Sequence, residues 1–231
     1  WYDLVWIPGW GRNGMSATAR RMEMAASGLG GTVQSFTFVG VSFPISNFDI
    51  QVPSGTQAGD IAIAYSSTAT GPAPAVYSGF TQIAQLNSVF EEMFQYKLLT
   101  SGDLTTTFTR QGDTYDAAIM MTFRPALPVT TVNASSVNNS GQTANTPSTQ
   151  ALSTYTYDAP NILVATYSSY RAEPSIQGTF WDGNYLEAGE NQNSFKIYYE
   201  IQNEANVNRS VVAGGDYGSY NIMMSCVINA S

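Results

Sequence analysis

The sequence predicts an all-β chain built from two tandem antiparallel β-sandwich modules of jelly-roll type, preceded by a short Trp-rich arm with a helix. An internal repeat carries this expectation first. Gly112–Phe123 reads GDTYDAAIMMTF and Gly215–Cys226 reads GDYGSYNIMMSC, so Gly-Asp, Ile-Met-Met and a hydroxyl residue (Thr122, Ser225) recur at an offset of 103. A second anchor lies upstream: Gly59-Asp60 then Ile61-Ala62-Ile63-Ala64 and Tyr65-Ser66-Ser67 matches Pro160-Asn161 then Ile162-Leu163-Val164-Ala165 and Tyr167-Ser168-Ser169, at offsets of 101 to 102. Two anchors in the same order at nearly the same spacing mark two copies of one unit. The third observation is periodicity, since short apolar runs of period two alternate with Gly, Asp and Asn turns.

The arm, residues 1–33, differs in kind from the rest of the chain. It holds three of the four tryptophans (Trp1, Trp6, Trp10) and then a helix-forming run, Ser16–Ser27. Ser16 suits the N-cap and Gly28 the C-terminal stop. Three tryptophans in ten residues exceed what so short a segment can bury, so they must pack on the β modules, on another copy or on a different protein. Gly9-Trp10-Gly11-Arg12-Asn13-Gly14 spells a dinucleotide-type glycine pattern, but β-rich sequence follows it and not the required βαβ unit.

Module 1 is expected over 34–126. Phe36 and Phe38 alternate, as do Phe48, Ile50 and Val52. Pro53-Ser54-Gly55 and Gln57–Asp60 are turns that launch a strand at Ile61–Ser66. A Pro-containing loop, Thr68–Ser78, precedes strands at Phe80–Leu86 and Phe94–Leu98. Thr100–Asp103 turns into Thr105–Thr109, and Ala117–Phe123 closes the module. Pro125 and Pro128 mark the linker to module 2, expected over 129–231. There Asn133–Pro147 reads as a loop or polar edge, and strands are expected at Leu152–Tyr157, Ile162–Tyr167, Phe180–Leu186, Phe195–Ile201, Arg209–Val212 and Tyr220–Ile228. Each copy is expected to bury its own core. The two Ile-Met-Met triplets are apolar without alternation, which suggests a central strand covered on both faces.

Composition narrows function. A chain of 231 residues needs neither metal nor disulfide to bury a core, and no cofactor is expected. Its one cysteine, Cys226, stands where Phe123 stands in the first copy and reads as a core residue. There is no histidine, which removes His-dependent nucleophilic systems and His-ligated metals. Residues 1–31 carry +1 of the net −8, leaving −9 on the remainder. Phosphate recognition needs clustered Lys and Arg, so nucleic acid is not an expected partner. No run of 18 apolar residues exists, so membrane insertion by a helix is not expected.

The turn Pro53–Asp60, Gly79-Phe80-Thr81, the alternating strand Phe94 to Asp103, the Thr-rich Thr105–Thr109 and the closing run Ala117–Pro125 together resemble the tandem β-sandwich modules of tailed-bacteriophage virion proteins, which decorate heads or form tails and fibres. The arm, with its Arg-, Met- and Ala-bearing helix, resembles the short N-terminal arms of such proteins. The second copy departs from the pattern at Pro160, where the first has Gly59, and lacks the closing Arg-Pro. The resemblance implies a virion location and a non-enzymatic structural role as head decoration or tail/fibre component. The apolar, slightly basic arm on an acidic body is itself expected to dock to other virion proteins, in a homo-oligomer, through Trp1, Trp6, Trp10, Arg20, Arg21 and Met22.

The alternative is a glycan-binding adhesin module for host-surface attachment, with Trp181, Asp182, Asn184 and Tyr185 as stacking and hydrogen-bonding groups for a cell-surface glycan. Catalysis would need carboxylates facing across a cleft. Glu91 and Glu92, before a strand, and Glu187 and Glu190, in the corresponding loop of the second copy, read as solvated charges instead, so no catalytic residue is assigned. Asp182-x-Asn184, Asp113 and Asp216 could ligate calcium, but acidic turn residues need no metal to explain them, and no metal site is assigned.

Overall fold

The computed structural model describes residues 34–45, 49–68, 74–87, 91–109, 117–142, 148–152, 160–170, 175–177, 183–188, 193–202, 209–214 and 221–230. The Trp-rich arm lies outside them. The described chain is nearly all β. Its strands are β1 (Phe36–Ser42), β2 (Ile61–Thr68), β3 (Thr81–Asn87), β4 (Glu91–Leu98), β5 (Ala117–Pro125), β6 (Val132–Gln142), β7 (Ser148–Leu152), β8 (Asn161–Tyr170), β9 (Ser175–Gln177), β10 (Gly183–Ala188), β11 (Asn193–Gln202), β12 (Arg209–Gly214) and β13 (Asn221–Ala230). Helix among the described residues is limited to one 3-10 turn, Ser101–Thr105.

Two five-stranded antiparallel sheets dominate. The first has the order β1-β5-β2-β4-β3, and the second, read from its other edge, β6-β13-β8-β11-β10. Matched by the repeat, these are the same order, with the Ile-Met-Met segments on β5 and β13 in the second position of each. The correspondence reaches a local irregularity. Val39 bulges out of β1 opposite Thr122 and Phe123, and Val137 bulges out of β6 opposite Ser225 and Cys226. Those opposing residues are related by the offset of 103 seen in the sequence. The pairing of the central strands differs: Ile61 faces Phe123, whereas Ile162 faces Ile228, two residues beyond the sequence counterpart of Phe123. A slip of two keeps every side chain on its face; a slip of one would have turned the core outward.

A three-stranded sheet, β7-β12-β9, accompanies the second sheet. In the first copy the corresponding place shows, among the described residues, one bridge, Ile50 with Phe108. The expected strands around Phe48–Val52 and Thr105–Thr109 are therefore not strands among the described residues. Thr105 belongs to the 3-10 turn instead, because Asp103 caps that turn from its own side chain. Sequence alternation alone did not register this local hydrogen bonding. The polar stretch from Asn133 is a strand at a sheet edge, β6, where neutral polar residues suffice on the unpaired side.

The core explains the unalternating triplet Ile119-Met120-Met121. On one face of the first sheet Ile61, Ile63, Tyr65, Ile119, Met121 and Phe123 join a single apolar cluster that also contains Ile162, Val164, Ile197, Tyr199, Met224, Cys226 and Ile228 of the second. We call this the shared face. On the far face Ala62, Ala64 and Met120 pack with Ile50, Tyr77, Phe80, Leu99 and Phe108. Ile119, Met120 and Met121 are all fully buried because β5 is covered on both sides. The expectation that each copy buries its own core needs correction: the first copy keeps a smaller cluster of its own, but the larger one belongs to both sheets. Rings mark that junction. Phe38 stacks on Tyr199 with centroids 4.5 Å apart, and Phe123 meets the same ring edge-on at 5.4 Å. Such pairs add about 0.5–1.5 kcal/mol beyond the area they bury.

Candidate functional site

The expected docking set, Trp1, Trp6, Trp10, Arg20, Arg21 and Met22, lies outside the described residues, as do Trp181, Asp182, Asp113, Asp216 and Glu190. Asn184 and Tyr185 are consecutive positions of the edge strand β10, opposite Tyr198 and Ile197. A pleated strand assigns consecutive positions to opposite faces. Glu187 lies on the same strand, opposite Phe195, and not in a loop. Glu91 and Glu92 are likewise the first two residues of β4, and Glu92 is fully buried. Reading them as solvated charge was therefore wrong for Glu92. Met93 separates them from the alternating run Phe94–Leu98, and two consecutive acids carry no apolar period, so periodicity did not reach back to them.

Two charged pairs are built into the scaffold of the first copy. Asp60, 1 % exposed, closes the turn before β2: its Oδ2 accepts from Gln57 N at 2.7 Å. Arg124 donates to it twice, Nε to Oδ1 and Nη2 to Oδ2, each at 2.9 Å, and Nη2 also donates to Gly55 O. This forked contact ties the turn Pro53–Gly59 to the last residues of β5. Asp103 starts the 3-10 turn, where Lys97 Nζ donates to Oδ1 at 2.6 Å while Thr100 N and Oγ1 donate to Oδ2 at 2.8 Å. Burial, the largest single influence, pushes the Asp103 carboxyl up, but these donors together outweigh it and hold the group below the usual carboxylate value. Lys97 Nζ also stands 5.3 Å from the Phe108 centroid and 5.9 Å from that of Phe80.

A different arrangement occupies the end of the first sheet where β2 finishes and β4 begins. Here Ser66, Ser67, Thr68, Glu92 and Gln95 are all buried polar residues on two paired strands. Register sorts them by face. Gln95 lies opposite Ala64 and Glu91 opposite Thr68, so both belong with Ser66 to the far face, whereas Glu92 lies opposite Ser67 on the shared face. Gln95 Oε1 accepts from Tyr77 N at 2.8 Å, which fixes the orientation of its amide. The second sheet has no such acids: at the same register Phe195 stands opposite Ser168 and Ser194 opposite Ser169. The fold thus accepts an aromatic residue where the first copy places a buried carboxyl, so this Glu is not a requirement of the sheet. Sequence comparison of the copies at offset 103 carries this signal, because it sets Glu91-Glu92 against Ser194-Phe195.

Chemically, hydroxyls, an amide and carboxylates can bind by hydrogen bonds or through a hard cation. In a chain without histidine they have no imidazole base to activate a hydroxyl. Among the described residues no three His, Cys, Asp or Glu side chains gather as a metal centre, and no helix is long and apolar enough to cross a membrane. Cys226 is buried in the shared core, and burial pushes its thiol far up, so it acts as packing and not as a nucleophile. No family model, curated protein or solved structure matches the chain.

Proposed function

We propose that this chain is a non-enzymatic structural protein of a tailed-phage virion, with two tandem β-sandwich modules projecting as head decoration or as a tail or fibre component. Its contacts with other virion proteins are made through the arm, residues 1–33. The observation that carries the reading is a doubled sheet in which two charged pairs serve the scaffold: Asp60 with Arg124 and Asp103 with Lys97 secure turns. The sequence adds an imbalance, since an arm with three tryptophans and a slight positive charge precedes a body of net −9. Large aromatics dominate interface energies, and opposite charge speeds encounter with a complementary surface. Homo-oligomerisation on the particle follows from such repeated docking.

Deleting residues 1–33 tests this. The shortened protein is expected to keep the β-rich circular dichroism and melting of the full chain while losing incorporation into particles. Incorporation at the full-length level would overturn the docking role. A particle reconstruction with the chain absent from head, tail and fibre alike would overturn the virion reading itself.

A further inference from the structure

We propose that the far face of the first sheet, at its polar end, binds a divalent cation, calcium by its chemistry, with Glu91, Thr68 and Ser66 as protein ligands. The inference begins with buried polar atoms that lack hydrogen-bond partners among the described residues. Glu91 Oε2, Thr68 Oγ1, Ser66 Oγ and Gln95 Nε2 are four of these, and all four belong to one patch of one face. Ser66 and Gln95 are fully buried and Thr68 is 4 % exposed. Native proteins leave few buried polar atoms unpaired, and a local group of them calls for a bound water or ion.

Charge decides between the two. A carboxylate oxygen shut away from water needs a positive partner more than a neutral one. The described bases of the first copy are committed elsewhere: Lys97, six residues along β4, is held by Asp103, and Arg124, beyond the opposite end of β2, is held by Asp60. Thr68 and Glu91 are directly paired across β2 and β4, and Ser66 lies two residues along on the same face. Directly opposed residues have Cβ atoms roughly 5 Å apart, within reach of one ion at the 2.3–2.6 Å typical of calcium–oxygen bonds. The Gln95 oxygen is taken by Tyr77 N, so this amide offers an NH2 donor and is not counted as a ligand. A donor set of oxygens without sulfur or imidazole selects calcium or magnesium over zinc, and one carboxylate with two hydroxyls suits the larger, less demanding calcium at an affinity of about 10⁻⁴–10⁻³ M. The second sheet, with Ser194 in place of Glu91, is not expected to bind.

The test is thermal unfolding of the full chain after chelator treatment, with calcium, magnesium or additional sodium chloride at matched ionic strength. About 10 mM calcium is expected to raise Tm by a few degrees over the sodium control, with magnesium weaker. Glu91→Gln and, separately, Thr68→Val are expected to abolish that rise; Ser66→Ala is a third variant should either fail to fold. Equal melting in calcium and in sodium, or a calcium response that survives Glu91→Gln and Thr68→Val, would overturn the site and leave ordered water as what those atoms bind.

Discussion

Asp103 receives donors from Lys97 and from both the backbone and hydroxyl of Thr100, and this has a consequence in acid. A carboxyl held below its unfolded value, near 3.8, contributes stability that is fully present above that value and is lost as pH falls through the lower folded one. Asp103→Ala is therefore expected to cost about 2 kcal/mol at neutral pH, with the gap to the parent protein closing below about pH 3.8. A gap that stayed constant down to pH 2 in urea titrations would show that the carboxylate is not the source. Gly79 belongs to the same cluster. Its φ is +78°, and a Cβ there would lie 2.7 Å from Lys97 Nζ, an atom already held by Asp103 and two rings. Gly59, at φ +90°, has open space around the same position. Gly59→Ala should show only the backbone penalty of about 1 kcal/mol, and Gly79→Ala clearly more. Equal losses in chemical denaturation would contradict the steric part of this account.

At the scale of elements, the two copies place different chemistry at one structural position. Asp60 and Arg124 flank the paired start of β2 and end of β5; in the second sheet Asn161 lies opposite Asn229 at the same register. Asn161 is fully buried, and neither its Oδ1 nor its Nδ2 has a hydrogen-bond partner among the described residues. An amide pair avoids burying a charge but forgoes the forked contact. Asn161→Asp alone should cost about 3 kcal/mol, since it buries an unpaired carboxylate, and adding Asn229→Arg should recover most of that loss. A double-mutant cycle without coupling would show that the two positions are not equivalent to the pair in the first copy. Bulges serve a second purpose here. The edge strands β1, β3 and β6 carry no charged residue, yet each contains an irregularity, near Val39, Ile83 and Val137. Bulges twist an edge away from a flat partner, so they blunt edges that lack charge.

For the molecule as a whole, the shared cluster makes the two sheets interdependent. Phe123 and Tyr199 come from different copies and touch ring to ring. Phe123→Ala is expected to cost about 3–5 kcal/mol and to lower the stability of both sheets together. The parent chain should unfold in one transition, seen alike by far-ultraviolet circular dichroism and by hydrogen exchange at β2 and β8. Two separated transitions, with only the first moved by the substitution, would mean that each copy stands alone.

Much of this architecture is determined by local sequence. Period-two alternation, glycine at turns and the recurrence of Ile-Met-Met are legible along the chain itself, so they specify strands, turns and the presence of two copies, whereas the strand order within each sheet comes from long-range pairing. The unalternating triplet even announced a strand covered on both faces. What covers it is another matter. Whether Ile119 and Met121 meet their own module or the other copy depends on contacts between residues about a hundred positions apart, and an apolar side chain carries no label for its partner. Tertiary structure likewise decided the fate of charges. Glu91 and Glu92 resemble any acidic pair along the chain, but one β-register puts Glu91 beside Thr68 and buries Glu92 beside Ser67 on the opposite face. A carboxylate's chemistry is governed by its burial and its partners, and both are created only when distant strands pair.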